Sequence, residues 1–243
     1  MGKLDGKVGL ITGGNKGIGK GIALAFAAEG ASLVLVARGK ADLDRTAAEI
    51  EAKGNHVLAL PADITDEFQV EGMFRRAMER FGRLDILVNN AGAFDGGPLD
   101  ELSTEAWDKV LAVNLRAPFL CTRAAMRIMK RQQSGRIVNI GSISAQRVRP
   151  HSAPYSASKH GLWGLTHVTA LEGRPFGISC GCLHPGNVLV ERRQNSAKTE
   201  DDEPMMTPAE LAQAAVVMAT LPPHVNMLEA IVLPVGQLYV GRG

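Results

Sequence analysis

The chain has no surplus of charge. Its 27 basic and 25 acidic side chains leave a net charge of +2, too little to build the basic face that a nucleic acid requires. Cysteine is scarce: three in 243 residues, an odd number, argue against a disulfide framework and for free thiols in a reducing compartment. Cys180 and Cys182 stand two apart in an apolar run with no further ligands at zinc-like spacing, so they read as packing residues and no metal is expected. No apolar run approaches the roughly 20 residues of a membrane span. Met1-Gly2-Lys3-Leu4-Asp5-Gly6 carries neither an apolar leader core nor the Ser or Thr of a myristoylation signal. A cytoplasmic protein without membrane contact is the expectation. There is no internal repeat and no linker, so residues 1–243 read as one domain, long enough for an α/β core to bury most of its apolar surface.

What is present is an alternation of strands and helices. After Lys7 the apolar strand VGLIT leads into Gly13-Gly14-Asn15-Lys16-Gly17-Ile18-Gly19 and a small-residue helix reaching Gly30. Strand, glycine turn and helix in that order form a phosphate cradle: glycine permits positive φ and close approach, and the helix N-terminus offers unpaired N–H groups. The second strand, 32–37, ends at Arg38. An acid there would bind an adenosine ribose 2′-OH and repel a 2′-phosphate. The acid is missing, and Arg38 and Lys16 are placed to pair with a 2′-phosphate instead.

A helix over 40–53 and a strand over 56–60 bring Asp63 to the carboxyl edge, where it either accepts from an adenine amino group or serves a turn or cap. An amphipathic helix over 66–81 follows, with Phe68, Met73, Phe74, Met78 and Phe81 apolar. Asp85 to Gly92 then reads as a buried parallel strand, with Asn89 serving the strand and Asn90 a cofactor, and with Ala91 and Gly92 small enough for a ligand to lie on the backbone. One long helix is expected over 103–131. It carries Asn114 among Trp107, Val110, Leu111 and Leu115, where an amide must find partners. Strand 136–140 delivers Gly141 and Ser142 to the same edge. The surrounding Gly141-Ser142-Ile143-Ser144-Ala145 lacks the G-x-S-x-G elbow of a hydrolase nucleophile.

The next helix, running to about 172, carries Tyr155-Ser156-Ala157-Ser158-Lys159. Positions four apart share a helix face, so a phenol and an ammonium occupy one small volume. A lysine cation about 4 Å from a phenol oxygen, at an effective dielectric of about 20, favours the phenolate by on the order of 4 kcal/mol. That makes a proton donor, and Ser142 supplies a hydroxyl to hold a substrate oxygen. Strand 178–183 ends in His184-Pro185-Gly186-Asn187-Val188, with His184 and His151 read as structural or loop histidines. Residues 189–207 read as a lid, and a helix over 208–221 and a strand over 228–235 close the chain. Six or seven strands alternating with helices predict a single-domain, doubly wound (Rossmann) parallel sheet, helices on both faces and motifs on its carboxyl edge.

In this order the motifs resemble the short-chain dehydrogenase/reductase family over nearly the whole chain. Thr12 to Gly19 matches its TGxxxGIG turn, Asp63 its adenine contact, Asn89 to Gly92 its NNAG, and Ser142, Tyr155 and Lys159 its catalytic set. Asn114 falls at the helix asparagine that completes a tetrad, and Pro185-Gly186 at the PG turn near the nicotinamide, with Val188 just beyond. The resemblance implies that Ser142 hydrogen-bonds the substrate oxygen and Tyr155 transfers the proton. It also implies that Lys159 holds the nicotinamide ribose and that Asn114 anchors a water leading to solvent. Two departures stand out: Val190 replaces a threonine often found beyond the PG turn, and the ending lacks the aspartate-diglycine signature of many 3-oxoacyl reductases. The ending looks more like the branch acting on 3-hydroxy acid partners and small carbonyls.

The expected function is NADP(H)-dependent interconversion of a small ketone or aldehyde and its alcohol, with NADP(H) favoured over NAD(H) by Lys16 and Arg38. One alternative is 3-oxoacyl-[acyl-carrier-protein] reduction, with the carrier docking on Arg123, Arg127, Lys130 and Arg131. Another is a non-catalytic NADP(H)-binding sensor. Pairing of the helices over 103–131 and 153–172 implies a homo-tetramer or homo-dimer. The pocket walls are expected near 93–98, 143–151 and 187–206, where Arg147, Arg149, Arg192 and Arg193 hint at an anionic substrate.

Overall fold

A computed structural model describes residues 2–191 and 204–239. Seven strands form one parallel sheet in the order β3-β2-β1-β4-β5-β6-β7. They are β1 (Val8–Thr12), β2 (Ser32–Ala37), β3 (Val57–Pro61), β4 (Ile86–Asn89), β5 (Gly135–Ile140), β6 (Ile178–Pro185) and β7 (Glu229–Val232). The order reverses between β1 and β4, and the crevice at such a switch point is where doubly wound sheets bind ligands. Among the described residues seven α-helices cover the two faces: α1 (Gly17–Ala28), α2 (Lys40–Glu51), α3 (Glu67–Phe81), α4 (Thr104–Leu111), α5 (Ala117–Gln132), α6 (Ala153–Gly173) and α7 (Pro208–Thr220).

Alternation along each strand feeds two cores. Ile11, Leu33, Leu35, Val88 and Val138 pack with Phe26 of α1 and Leu211 and Val216 of α7 on one face. Leu10, Val34, Val36, Leu87 and Ile137 pack with Phe74 of α3 and Leu120 and Met129 of α5 on the other. Burying each such Leu, Val or Phe contributes about 1.5–3 kcal/mol, which fixes the strand ends and whatever they carry.

The helix expected over 103–131 forms as one helical run over 104–132, but its hydrogen-bond ladder is not uniform. A π-type segment, Ala112–Arg116, separates α4 from α5, with the Ala117 N–H bonded to the Ala112 carbonyl. The cause is Pro118: it has no N–H to give the carbonyl of Asn114 four residues before it, so the ladder shifts there. The closing strand is also shorter than expected, ending at Val232 before Pro234, whereas β6 continues through His184 and Pro185. Most of the expected lid, 192–203, and with it Arg192 and Arg193, lies outside the described residues. Among the described residues no helix is long and apolar enough to cross a membrane.

Candidate active site

The glycine turn is braced from beneath by the end of β4. Thr12 Oγ1 accepts the N–H groups of Asn90 at 3.0 Å and Ala91 at 3.1 Å. The Asn90 amide donates to the carbonyls of Thr12 at 2.9 Å and Gly13 at 3.3 Å. Gly13 and Gly17 hold positive φ of 67° and 52°. Gly19 is required for a different reason: a Cβ there would lie 2.2 Å from the Gly13 carbonyl oxygen and 2.4 Å from the Asn90 amide nitrogen. The turn therefore brings backbone N–H groups to the surface above β1, with Asn15 and Ile18 half-buried beside them.

Lys16 and Arg38 are both exposed, and neither forms an ion pair among the described residues. Asp63 serves its own turn through one oxygen, Oδ1, which accepts from the Thr65 N–H at 2.9 Å and hydroxyl at 2.8 Å. Asp66, not Asp63, caps α3.

Across the switch point, Lys159 is 5 % exposed, and its ammonium donates to the Ile140 carbonyl at 2.8 Å, beside the end of β5. The same nitrogen lies 5.6 Å from the Tyr155 ring centroid, so α6 presents phenol and ammonium on one face. Two N–H directions of Lys159 carry no protein partner among the described residues, which leaves them for a ligand. Ser142, in extended backbone, is 8 % exposed, and its Oγ accepts the Ser144 N–H at 3.1 Å. One acceptor lone pair is so used, and its O–H can rotate to donate to a ligand.

Asn114 finds the partners its burial demands. Its Oδ1 accepts the Ala93 N–H at 2.7 Å, and its Nδ2 donates to the Ala93 carbonyl at 2.9 Å and Ser158 Oγ at 3.2 Å. It thereby clamps the segment following Gly92 to α6, next to Lys159. Asn89 is a sheet residue, donating to Asn139 at 2.8 Å and Thr122 at 3.1 Å.

Pro185 ends β6, and Gly186 donates to the Val232 carbonyl at 2.8 Å. Val188 is buried, bridged to Met206. From there the chain crosses back to the glycine turn, where the Glu191 carboxylate accepts the Gly17 N–H at 3.1 Å. That carboxylate sits where a phosphate is expected, a contact across 174 residues that no local pattern announces. Phe94, whose ring centroid is 5.3 Å from that of Tyr155, comes from the segment 93–98 where a pocket wall is expected.

A doubly wound sheet whose switch point has a glycine turn on one side and, on the other, a half-buried tyrosine beside a buried lysine is the arrangement of a nucleotide-dependent oxidoreductase. The chain belongs to the short chain dehydrogenase family, whose model matches residues 7–201. Levodione reductase of Leifsonia aquatica is 36% identical over 247 aligned positions, covering 94% of this chain and 92% of its own. A 3-oxoacyl-[acyl-carrier-protein] reductase of Synechocystis sp. is 36% identical over 196 residues, 80% of this chain and 79% of its own. A crystal structure of levodione reductase superposes with a TM-score of 0.89 at 32% identity, covering 94% of this chain and 96% of that one.

Proposed function

We propose that this oxidoreductase interconverts a small ketone or aldehyde and its alcohol with NADP(H) as cofactor. The observation that carries the reading is the buried Lys159 ammonium, held on the Ile140 carbonyl at 2.8 Å beside the Tyr155 ring. The residues present fit a dinucleotide: Gly13, Gly17 and Gly19 clear the backbone for phosphates, and two Lys159 N–H groups remain for a ribose. Asn90, Ala91, Gly92, Pro185, Gly186 and Val188 border the space between. When bound, the nicotinamide supplies or accepts the hydride.

The chain's own groups handle the proton. Ser142 donates its hydroxyl hydrogen bond to the substrate oxygen and holds it in reach of Tyr155. The Tyr155 hydroxyl gives that oxygen its proton in the reducing direction and takes it back in the other. Lys159 stabilises the phenolate left behind, and its burial strengthens that interaction by excluding water. Asn114, whose carbonyl Pro118 leaves without its i+4 donor, anchors the water through which the proton is resupplied.

The preference for NADP(H) rests on Lys16 and Arg38, two exposed cations without an ion pair among the described residues, flanking the expected 2′-phosphate position. Purified protein assayed at 340 nm over a carbonyl panel should oxidise NADPH in preference to NADH. Lys16→Ala with Arg38→Ala should erase the preference by weakening NADPH alone by about 10- to 100-fold. Equal use of both cofactors by the wild type would overturn it.

A second reading, 3-oxoacyl-[acyl-carrier-protein] reduction, is supported by the Synechocystis relative. Against it, Arg123 and Arg127 of the expected docking face pair with Glu67 and Glu71 on α3, and Lys130 lies 4.7 Å from the Phe176 ring centroid. Faster turnover of carrier-bound than of free acyl substrates would favour it, and NADPH binding without any turnover would favour the sensor. Assembly as a homo-dimer or homo-tetramer is part of the proposal, with exposed Phe119 on α5 and Val168 and Leu171 on α6 as the apolar surface to be covered.

A further inference from the structure

His184 is completely buried, and nothing in the chemistry above uses it. The last sheet bond at the end of β5 is Gly141 N–H to the Leu183 carbonyl, 2.7 Å. One residue further on, Ser142 is still extended, with φ −171° and ψ 156°, and its backbone groups take an imidazole in place of a strand. His184 Nδ1 lies 2.8 Å from the Ser142 carbonyl oxygen and 3.3 Å from its nitrogen. The ring fits only because residue 141 is glycine: a Cβ there would stand 2.6 Å from Nδ1 and 2.8 Å from Cε1 of the same imidazole. On the far side, Nε2 has no hydrogen-bond partner among the described residues and lies 3.4 Å from Glu229 Oε1 of β7. Glu229 in turn accepts from Gln146, whose own oxygen accepts the Tyr239 hydroxyl.

Burial pushes the imidazole toward its neutral form, and the nearby Lys159 cation adds to this, against the opposing pull of the Ser142 carbonyl and Glu229. A neutral ring has one N–H, and the shorter contact, 2.8 Å to the Ser142 carbonyl, favours it on Nδ1 over the tautomer in which Nδ1 accepts the Ser142 N–H at 3.3 Å.

We propose that His184 is a positioning residue for the reaction: its Nδ1–H fixes the backbone of Ser142 and so aims the Ser142 hydroxyl at the substrate oxygen. This rests on the reading of Ser142 as substrate-oxygen donor. The imidazole is completely buried, so its effect on the reaction passes through Ser142.

Two measurements on the full chain test this. The first uses a carbonyl that the wild type turns over. His184→Ala should lower kcat about 10- to 100-fold, the scale of a misplaced group, with the NADPH Kd and the KM moving less than about threefold. His184→Asn, whose amide N–H can also donate to the Ser142 carbonyl, should recover most of that loss. In a Ser142→Ala background, His184→Ala should change kcat by less than about twofold, because its route of action is already gone. Equal losses in both backgrounds, or an unchanged kcat in His184→Ala, would overturn the proposal.

The second needs no substrate. Long-range proton–nitrogen NMR on the wild-type imidazole should show Nδ1 protonated, whereas an Nε2–H tautomer contradicts the proposed hydrogen bond. If no carbonyl is turned over yet Nδ1–H is observed, the functional reading has failed and the positioning role falls with it, while the hydrogen bond itself stands.

Discussion

Replacing Glu191 by Gln should tighten dinucleotide binding. In the structure its carboxylate takes the Gly17 N–H at 3.1 Å, and a Cβ placed on Gly17 would meet the other carboxylate oxygen at 3.4 Å and Val190 at 3.2 Å. The side chain thus lies over the N-terminus of α1, the position that attracts anions through its unpaired N–H groups and the positive dipole end. A pyrophosphate arriving there must displace it. An exposed carboxylate at a helix N-terminus is worth a modest interaction, so its neutralisation should lower the NADPH Kd about two- to fivefold. The gain should shrink at high salt, where exposed charges are screened. Titration of NADPH fluorescence at low and at molar salt, for wild type and Glu191→Gln, reads both effects. Unchanged or weaker binding by the variant at low salt would show that the carboxylate does not compete for the cradle.

Gly19→Ala should abolish dinucleotide binding and lower stability by about 1–3 kcal/mol, because the methyl must enter the space of the Gly13 carbonyl and the Asn90 amide. Calorimetric titration and thermal unfolding of the same sample check both, and tight binding by the variant would contradict the packing. Asp85 gives a pH dependence. Burial pushes its carboxyl up, but Arg83 at 2.6–2.7 Å, the Val8 N–H at 3.0 Å and Lys7 at 3.4 Å outweigh this, and the net direction is down. A lowered folded value means that its contribution is complete above the unfolded value of about 4 and is lost as pH falls through the folded one. Urea unfolding should therefore show Asp85→Asn costing about 1–2 kcal/mol at pH 7, with the difference closing below about pH 4. A difference that persists undiminished at pH 3 would contradict this.

The parts of the molecule legible in the sequence were those written locally. The strand-turn-helix around Gly13 to Gly19 and the tyrosine and lysine one helical turn apart are short-range patterns, and they sit on the sheet edge as expected. The π-type ladder shift around Asn114 has its sequence counterpart in Pro118, but apolar periodicity on both sides reads as a uniform helix. Asp63 offered two roles to sequence reasoning, and the structure shows its turn with Thr65. Contacts made by strand order were out of reach. Glu191 on Gly17, His184 on Ser142 and the Arg123 and Arg127 pairs with α3 join residues whose separation in sequence carries no signal. The last of these bears on function, since two of the four bases of the expected docking face, Arg123 and Arg127, are paired with Glu67 and Glu71.

The central claim is that Tyr155, beside the buried Lys159, is the group that moves the proton. Single-turnover reduction of a panel carbonyl by Tyr155→Phe, with the NADPH Kd measured on the same protein, tests it most directly. The account predicts a rate lowered by about 10²- to 10⁴-fold, the usual contribution of general acid catalysis, with cofactor affinity unchanged. Turnover by the phenylalanine variant at the wild-type rate would contradict it.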